Sequence, residues 1–160
     1  MSKKRVAAII IDFILILVTL AFIFGNSLKD VESSSNQSEP ITEIVEKIPY
    51  VESALENKEI THSQIKSIVR SLAHVAEFAL LGALVMILML LLDMRISCAI
   101  ITTLISSLVI GITDECLQTL TDRSCELVDI VKDFAGATIG STFVLMIYLI
   151  ITKIKKAKQE

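Results

Sequence analysis

Four stretches of this sequence are long and apolar enough to bound what the chain can become. A helix crossing a ~30 Å hydrocarbon core needs about 20 apolar residues. Residues 6–24 are apolar apart from Asp12 and Thr19, and residues 72–92 apart from His74 and Glu77. Residues 96–113 are slightly shorter, with only hydroxyl groups as polar content, and residues 134–152 carry Gly136 and Gly140. The runs lack period-two alternation and are too long for strands. They predict an all-α integral membrane protein, a bundle of four transmembrane helices forming one domain over residues 1–160.

Composition sharpens this reading. The chain is 53% hydrophobic yet carries 18 acids against 15 Lys and Arg, so the apolar and charged residues must be segregated along it. That excludes a disordered chain. A net charge of −3, with no basic stretch interleaved with aromatics, argues against a nucleic-acid partner. No Rossmann glycine pattern, Walker loop, CxxC or HExxH is present. The expected partner is the lipid bilayer.

Lys3, Lys4 and Arg5 precede the first span, which raises the possibility of a signal peptide. Its apolar run exceeds a signal h-region and no A-x-A site follows, so the reading is an uncleaved anchor. Lys3, Lys4, Arg5, Arg95, Lys153, Lys155, Lys156 and Lys158 fall on one side if the helices run up and down. The excess of Lys and Arg marks the cytoplasmic side, so both termini are expected inside the cell. The outer loops are then residues 25–71 and 114–133, which hold 14 of the 18 acids.

The first outer loop has two characters. Residues 26–39 are rich in Ser, Asn and charge and read as a flexible linker. Pro40 is expected to open a short amphipathic helix with Ile41, Ile44, Val45 and Ile48 on one face, and Pro49 to end it. Thr61-His62-Ser63-Gln64 fits a capping box, and Ile65, Ile68, Val69 and Leu72 follow at helical spacing. This second helix is expected to run straight into span two. The amphipathic segments are read as lying on the membrane surface or on the bundle, ahead of a partner-binding role.

A polar constellation gathers at the outer face. Arg70, His74 and Glu77 share one helix face, Asp114, Glu115 and Gln118 follow the end of span three, and Arg123, Asp129 and Asp133 lead into span four. Charge at spanning depth costs about 3 kcal/mol per residue on insertion scales, so such groups normally face a bundle interior or polar cavity.

These residues carry a resemblance. Residues 70–78 resemble an R-x-x-x-H-x-x-E-[FY] signature and residues 114–118 a D-E-x-x-Q motif. Arg123-Ser124 with Asp129, Gly136 and Gly140 resembles R-[ST]-x(4)-D-x(6)-G-x(3)-G. Three motifs in order, on four spans, are similar to those of VanZ-like membrane proteins. The resemblance runs from residues 24–27 through Gly140 and leaves out the loop at 28–60. Asp133 stands where many members have Asn, and Thr121-Asp122 where a Pro-Gly is common. The resemblance implies a protein of the Gram-positive cell envelope, in a family associated with resistance to the glycopeptide teicoplanin, and implies no defined reaction.

Three readings of the constellation stay open. In one, His74 acts as general base with Glu77 or Asp114 orienting it. Arg70 and Arg123 grip a phosphate or carboxylate, and Glu115, Gln118, Asp129 and Asp133 complete a site for a lipid-linked cell-wall intermediate or a glycopeptide-related ligand. In the second, His74 and Glu77 share a zinc, manganese or iron ion with Asp114, Asp129 or Asp133, although the arginines count against a cation. In the third, the groups form a packing network of Arg–carboxylate pairs. No cofactor, oligomeric state or metal ligand is assigned from sequence.

The remaining features are read as structural. Asp12 is expected to be protonated or paired, through Arg95. Gly136 and Gly140 are expected to pack inside the bundle in preference to forming a dimer seam. Cys98 is expected to be buried in span three, and Cys116 and Cys125 to lie outside, within reach of a disulfide.

Overall fold

The computed structural model describes residues 2–29, 31–57, 60–121 and 126–158, with the backbone alone for 31–37. It is helical: α1 (Lys3–Ser27), α2 (Val31–Glu46), α3 (Pro49–Glu56), α4 (His62–Leu91), α5 (Ile96–Gln118) and α6 (Leu127–Ala157), with one 3-10 turn at Thr119–Thr121. Four helices, α1, α4, α5 with its 3-10 extension, and α6, are long and apolar enough to cross a membrane.

Each spanning helix buries a narrow stripe and leaves the rest of its surface apolar and exposed, as lipid contact requires. On α1 the buried stripe is Asp12, Ile16, Thr19, Ile23 and Ser27, while Ile11, Phe13, Ile14, Val18 and Phe22 face outward. On α5 the stripe is Ala99, Thr103, Ser107, Gly111, Asp114, Glu115 and Gln118, one turn apart along most of its length. These small and polar residues let neighbouring backbones come close, which is how helices associate where lipid removes the hydrophobic drive.

The tightest contact joins α4 to α6, and the two helices run parallel. A Cβ added at Gly136 would lie 2.3 Å from the Val75 carbonyl oxygen, and one at Gly140 would lie 1.8 Å from that of Ala79. From the other side, a Cβ at Gly82 would lie 2.3 Å from the Ala137 carbonyl oxygen. The two glycines of the Gly-x-x-x-Gly therefore pack within the bundle, as expected. Phe78, Leu81, Leu84, Val85, Ile16, Ile23 and Ala137 fill the core beside this seam.

The end of the bundle that holds both termini is closed by a clamp. Asp93 takes the left-handed conformation (φ 55°) that lets α4 turn into α5, and Arg5 pairs with it at 2.5 Å while donating from Nε to the Leu91 carbonyl at 2.7 Å. Asp is among the few non-glycine residues that tolerate this backbone region. Arg95 caps the start of α5 and is exposed. The expected Asp12–Arg95 pair does not form: Asp12 is buried, with one carboxylate oxygen lacking any hydrogen bond among the described residues.

Several boundaries differ from the sequence expectation. The apolar runs mark the membrane-embedded portion and not the helix ends. The α5 helix continues through Gln118 because Asp114, Glu115 and Gln118 bond one another inside the bundle. Helix α6 begins at Leu127, so Asp129 and Asp133 lie in its first two turns and not in a loop. The segment read as a linker is helical from Val31, with Pro40 inside α2, and Pro49 opens α3. The Thr61 capping box is formed, with the Gln64 side chain accepting from the Thr61 backbone at 2.9 Å, and α4 runs without a break into the membrane as expected.

The apolar face of α2 is not the one that docks. Ile41, Ile44 and Ile48 stay exposed, while Thr42 is fully buried. Polar partners on α4 explain the choice. Lys66 pairs with Glu39, and His62 bridges Glu39 at 3.2 Å and Glu46 at 2.6 Å. The Lys66 ammonium holds the Glu39 carboxyl below its ordinary range, so this exposed, solvent-screened contact persists at neutral pH and is lost in acid. Cys98 is exposed near the start of α5, contrary to expectation, because the α5 stripe places Ala99 inward in its stead.

Gly140→Ala is expected to lower the thermal stability of the detergent-solubilised protein by roughly 1–3 kcal/mol, because the methyl group meets backbone that cannot rotate away. Gly25→Ala, with nothing within 4 Å of the added Cβ, is expected to leave stability unchanged or slightly raised. Identical melting curves for the two variants would contradict the close α4–α6 approach.

A buried acid and histidine cluster at one end of the bundle

The cluster lies at the end of the bundle away from the termini and draws on all four spanning helices. Helix α1 contributes Asn26 and Ser27 from its last turn; α4 contributes Arg70, His74 and Glu77; α5 contributes Asp114, Glu115 and Gln118; α6 contributes Asp129, Lys132 and Asp133. The parallel α4–α6 seam sets the central juxtaposition. With Gly136 against Val75, His74, one residue before Val75, and Asp133, three residues before Gly136, face each other, and Nδ1 lies 3.6 Å from Oδ1. Asp133 packs against α5 at Gly111, where an added Cβ would lie in ordinary contact, 3.6 Å from the Asp133 Cβ.

Asp114, Glu115 and Asp133 have no solvent exposure. Two of them are well supplied with donors. Ser27 Oγ donates to Asp114 Oδ1, and the Gln118 side-chain amide donates to Asp114 Oδ2 at 3.1 Å and to Glu115 Oε1 at 2.8 Å. The Glu126 backbone N–H donates to Glu115 Oε2 at 3.1 Å. One primary amide thus serves two carboxylates with its two N–H groups, as its donor inventory allows. Asp133 differs: neither oxygen accepts a hydrogen bond from the described residues, and His74 Nδ1 also has no hydrogen-bond partner among them. At 3.6 Å the His74–Asp133 contact is an ion-pair distance and too long for a hydrogen bond.

Among the described residues, the sequence-derived candidates divide into three groups. His74, Asp114 and Asp133 converge, each offering a ligand atom within 4.8 Å of the others. Glu77 points to α1, where Asn26 Nδ2 donates to its Oε1 at 3.2 Å, and Lys29 donates to Asn26 Oδ1 at 3.0 Å. Asp129 pairs with Lys132 at 2.6 Å, and Lys132 also donates to Ser71 Oγ at 3.0 Å, joining α6 to α4. Arg70 is half-buried one turn above His74 and makes no hydrogen bond or ion pair with the described residues. No Arg70–carboxylate pair of the kind a packing network would need forms among the described residues. Arg123 and Cys125 lie outside the described residues, and with them the Cys116–Cys125 pairing; Cys116 is exposed.

Sequence reasoning gave no role to Asn26, Ser27 and Lys132. A signal for Ser27 existed in the buried spacing Asp12, Ile16, Thr19, Ile23, Ser27, which carries the inward stripe of α1 to its last residue. Lys132 follows Asp129 by three residues, the spacing of a helical ion pair.

Four apolar helices enclosing a buried cluster of carboxylates and a histidine define a multi-pass helical membrane protein. A family model described as VanZ/LLP1 matches residues 13–151, and the chain belongs to that family. No curated protein and no solved structure matches it.

Proposed function

We propose that the chain is a cell-envelope protein that binds or modifies the polar headgroup of a lipid-linked envelope substrate at the outer leaflet, and thereby changes susceptibility to glycopeptide and lipoglycopeptide antibiotics such as teicoplanin. The observation that carries this reading is the half-buried Arg70, one turn from His74 on α4, which makes no side-chain hydrogen bond or ion pair with the described residues. A half-buried guanidinium calls for an anion, and it grips phosphate or carboxylate in bidentate fashion. Lys29 and Lys132 add positive charge around the same end of the bundle.

Depth supports a headgroup. His74 lies about 26 Å along α4 from Leu91, at 1.5 Å per residue, close to the edge of a ~30 Å hydrocarbon core. A lipid whose tail lies against the exposed apolar helix surfaces would bring its phosphate to that level. In this reading Arg70 and Arg123 hold the anion. His74, Glu77 and Asp114 are the candidates for proton transfer, while Glu115, Gln118, Asp129 and Asp133 shape the site. Lys3, Lys4, Arg5, Arg95 and the Lys-rich last turn of α6 gather at the opposite end, and by the positive-inside rule this supports a cytoplasmic location for that end and an outer-leaflet location for the cluster.

In a Gram-positive host lacking its own copy, Arg70→Ala and His74→Ala are expected to lose teicoplanin protection to the level of the deletion strain, with normal protein in the membrane; Arg70→Lys should restore part of it. Full protection by both alanine variants would reject the site, and loss of protection only on deletion of residues 28–60 would point to a regulatory partner of cell-wall machinery. For orientation, a membrane-impermeant maleimide is expected to label Cys116 on intact cells in a Cys98→Ser, Cys125→Ser background. Labelling only after the cells are opened would reverse the topology.

A further inference from the structure

We propose that His74, Asp114 and Asp133 form a binding site for a divalent transition cation, of the zinc or manganese class, at the core of the cluster. The ligand set follows from the geometry. One ring nitrogen of His74 and one oxygen each from Asp114 and Asp133 lie within 4.8 Å of one another. Two ligands on a tetrahedral ion with bonds of ~2.1 Å are about 3.4 Å apart. The 3.6 Å between His74 Nδ1 and Asp133 Oδ1 is long for a hydrogen bond and close to such an edge. The Asp114 oxygen, within 4.8 Å of the other two atoms, would close on the ion by up to about 1.4 Å.

The second observation is the state of Asp133. It has no solvent exposure, and neither carboxylate oxygen accepts a hydrogen bond from the described residues, while the His74 nitrogen facing it lacks a partner too. Buried polar atoms in folded proteins are nearly always satisfied, and a group of unsatisfied ones at a single point marks an absent ion or water. Among the described residues, Lys132 and Arg70 do not fill the role. Lys132 is engaged by Asp129 and Ser71, and Arg70 makes no ion pair with the described carboxylates.

Asp114 is already arranged as a ligand. Ser27 and Gln118 each take one lone pair from its oxygens, leaving others free, and they fix its orientation as outer-shell groups do in metal sites. A mixed imidazole and carboxylate set favours zinc, manganese or iron over calcium. Glu77 and Asp129, held by Asn26 and Lys132, are outside the set. Three protein ligands leave a coordination position open, and for its occupant this inference rests on the headgroup reading: a phosphate oxygen beside Arg70.

The test uses purified full-length protein in nanodiscs, stripped with EDTA, titrated with ZnCl2 or MnCl2, and assayed for retained metal. It is run in a His62→Ala background, because His62 with Glu39 and Glu46 offers the metal an exposed alternative. About one equivalent is expected, with binding at least tenfold weaker in the near-isosteric Asp133→Asn and in His74→Gln. Absence of retained metal, or equal affinity in the parent and in whichever of these two variants folds, overturns the site. Arg70→Ala is expected to keep the metal. If Arg70→Ala keeps both metal and antibiotic protection, the headgroup reading fails while the cation site stands.

Discussion

In a bilayer, burying one apolar helix face against another gains little, because lipid tails are as apolar as leucine. Helices must instead associate through close backbone approach and polar contacts, and here the approach is concentrated where α4 and α6 run parallel. Gly136 and Gly140 sit against the carbonyls of Val75 and Ala79, and Gly82 against that of Ala137. Side chains at these positions would separate the two helices. The same register brings Lys132 to Ser71 and Asp133 to His74. Packing and site are therefore one arrangement, and α1 and α5 complete it with Ser27, Asp114 and Gly111.

The cluster that results is unevenly satisfied. Asp114 and Glu115 share the Gln118 amide and receive further bonds from Ser27 and the Glu126 backbone. Asp133 receives none from the described residues. A network selected only to hold helices together has no use for a buried carboxylate without donors, since interhelical polar contacts are worth well under 1–2 kcal/mol even when made. The asymmetry divides the cluster: one end is satisfied among the described residues, and the other, at His74 and Asp133, is the end proposed to hold a ligand.

The membrane-crossing architecture was legible because length and hydropathy act over twenty residues at a time, and local errors cancel. Element ends were not. Asp114 and Gln118 read as loop residues by polarity, yet they continue α5, bonding each other at i, i+4 while Asp114 also accepts from Ser27 across the bundle. The α2 segment misled in the opposite sense. Its isoleucines have the spacing of a buried face, but Lys66 and His62 on α4 draw the side bearing Glu39 and Glu46 inward. Of the candidate cluster, the sequence motifs supplied His74 and Asp114, and Asp133 entered as a departure from the family's Asn. They did not separate these three from Glu77 and Asp129, because that division depends on Asn26 and Lys132 taking the other two away.

The cation site proposed for the cluster depends on His74 and Asp133 being energetically joined across the α4–α6 seam. A double-mutant cycle on unfolding free energy in a bilayer mimic measures this directly, using His74→Ala, Asp133→Asn and the combined variant. The account predicts a coupling of about 1 kcal/mol or more, through direct attraction or a shared ion. Effects that add to within ~0.5 kcal/mol would show the two residues to be independent and would contradict it.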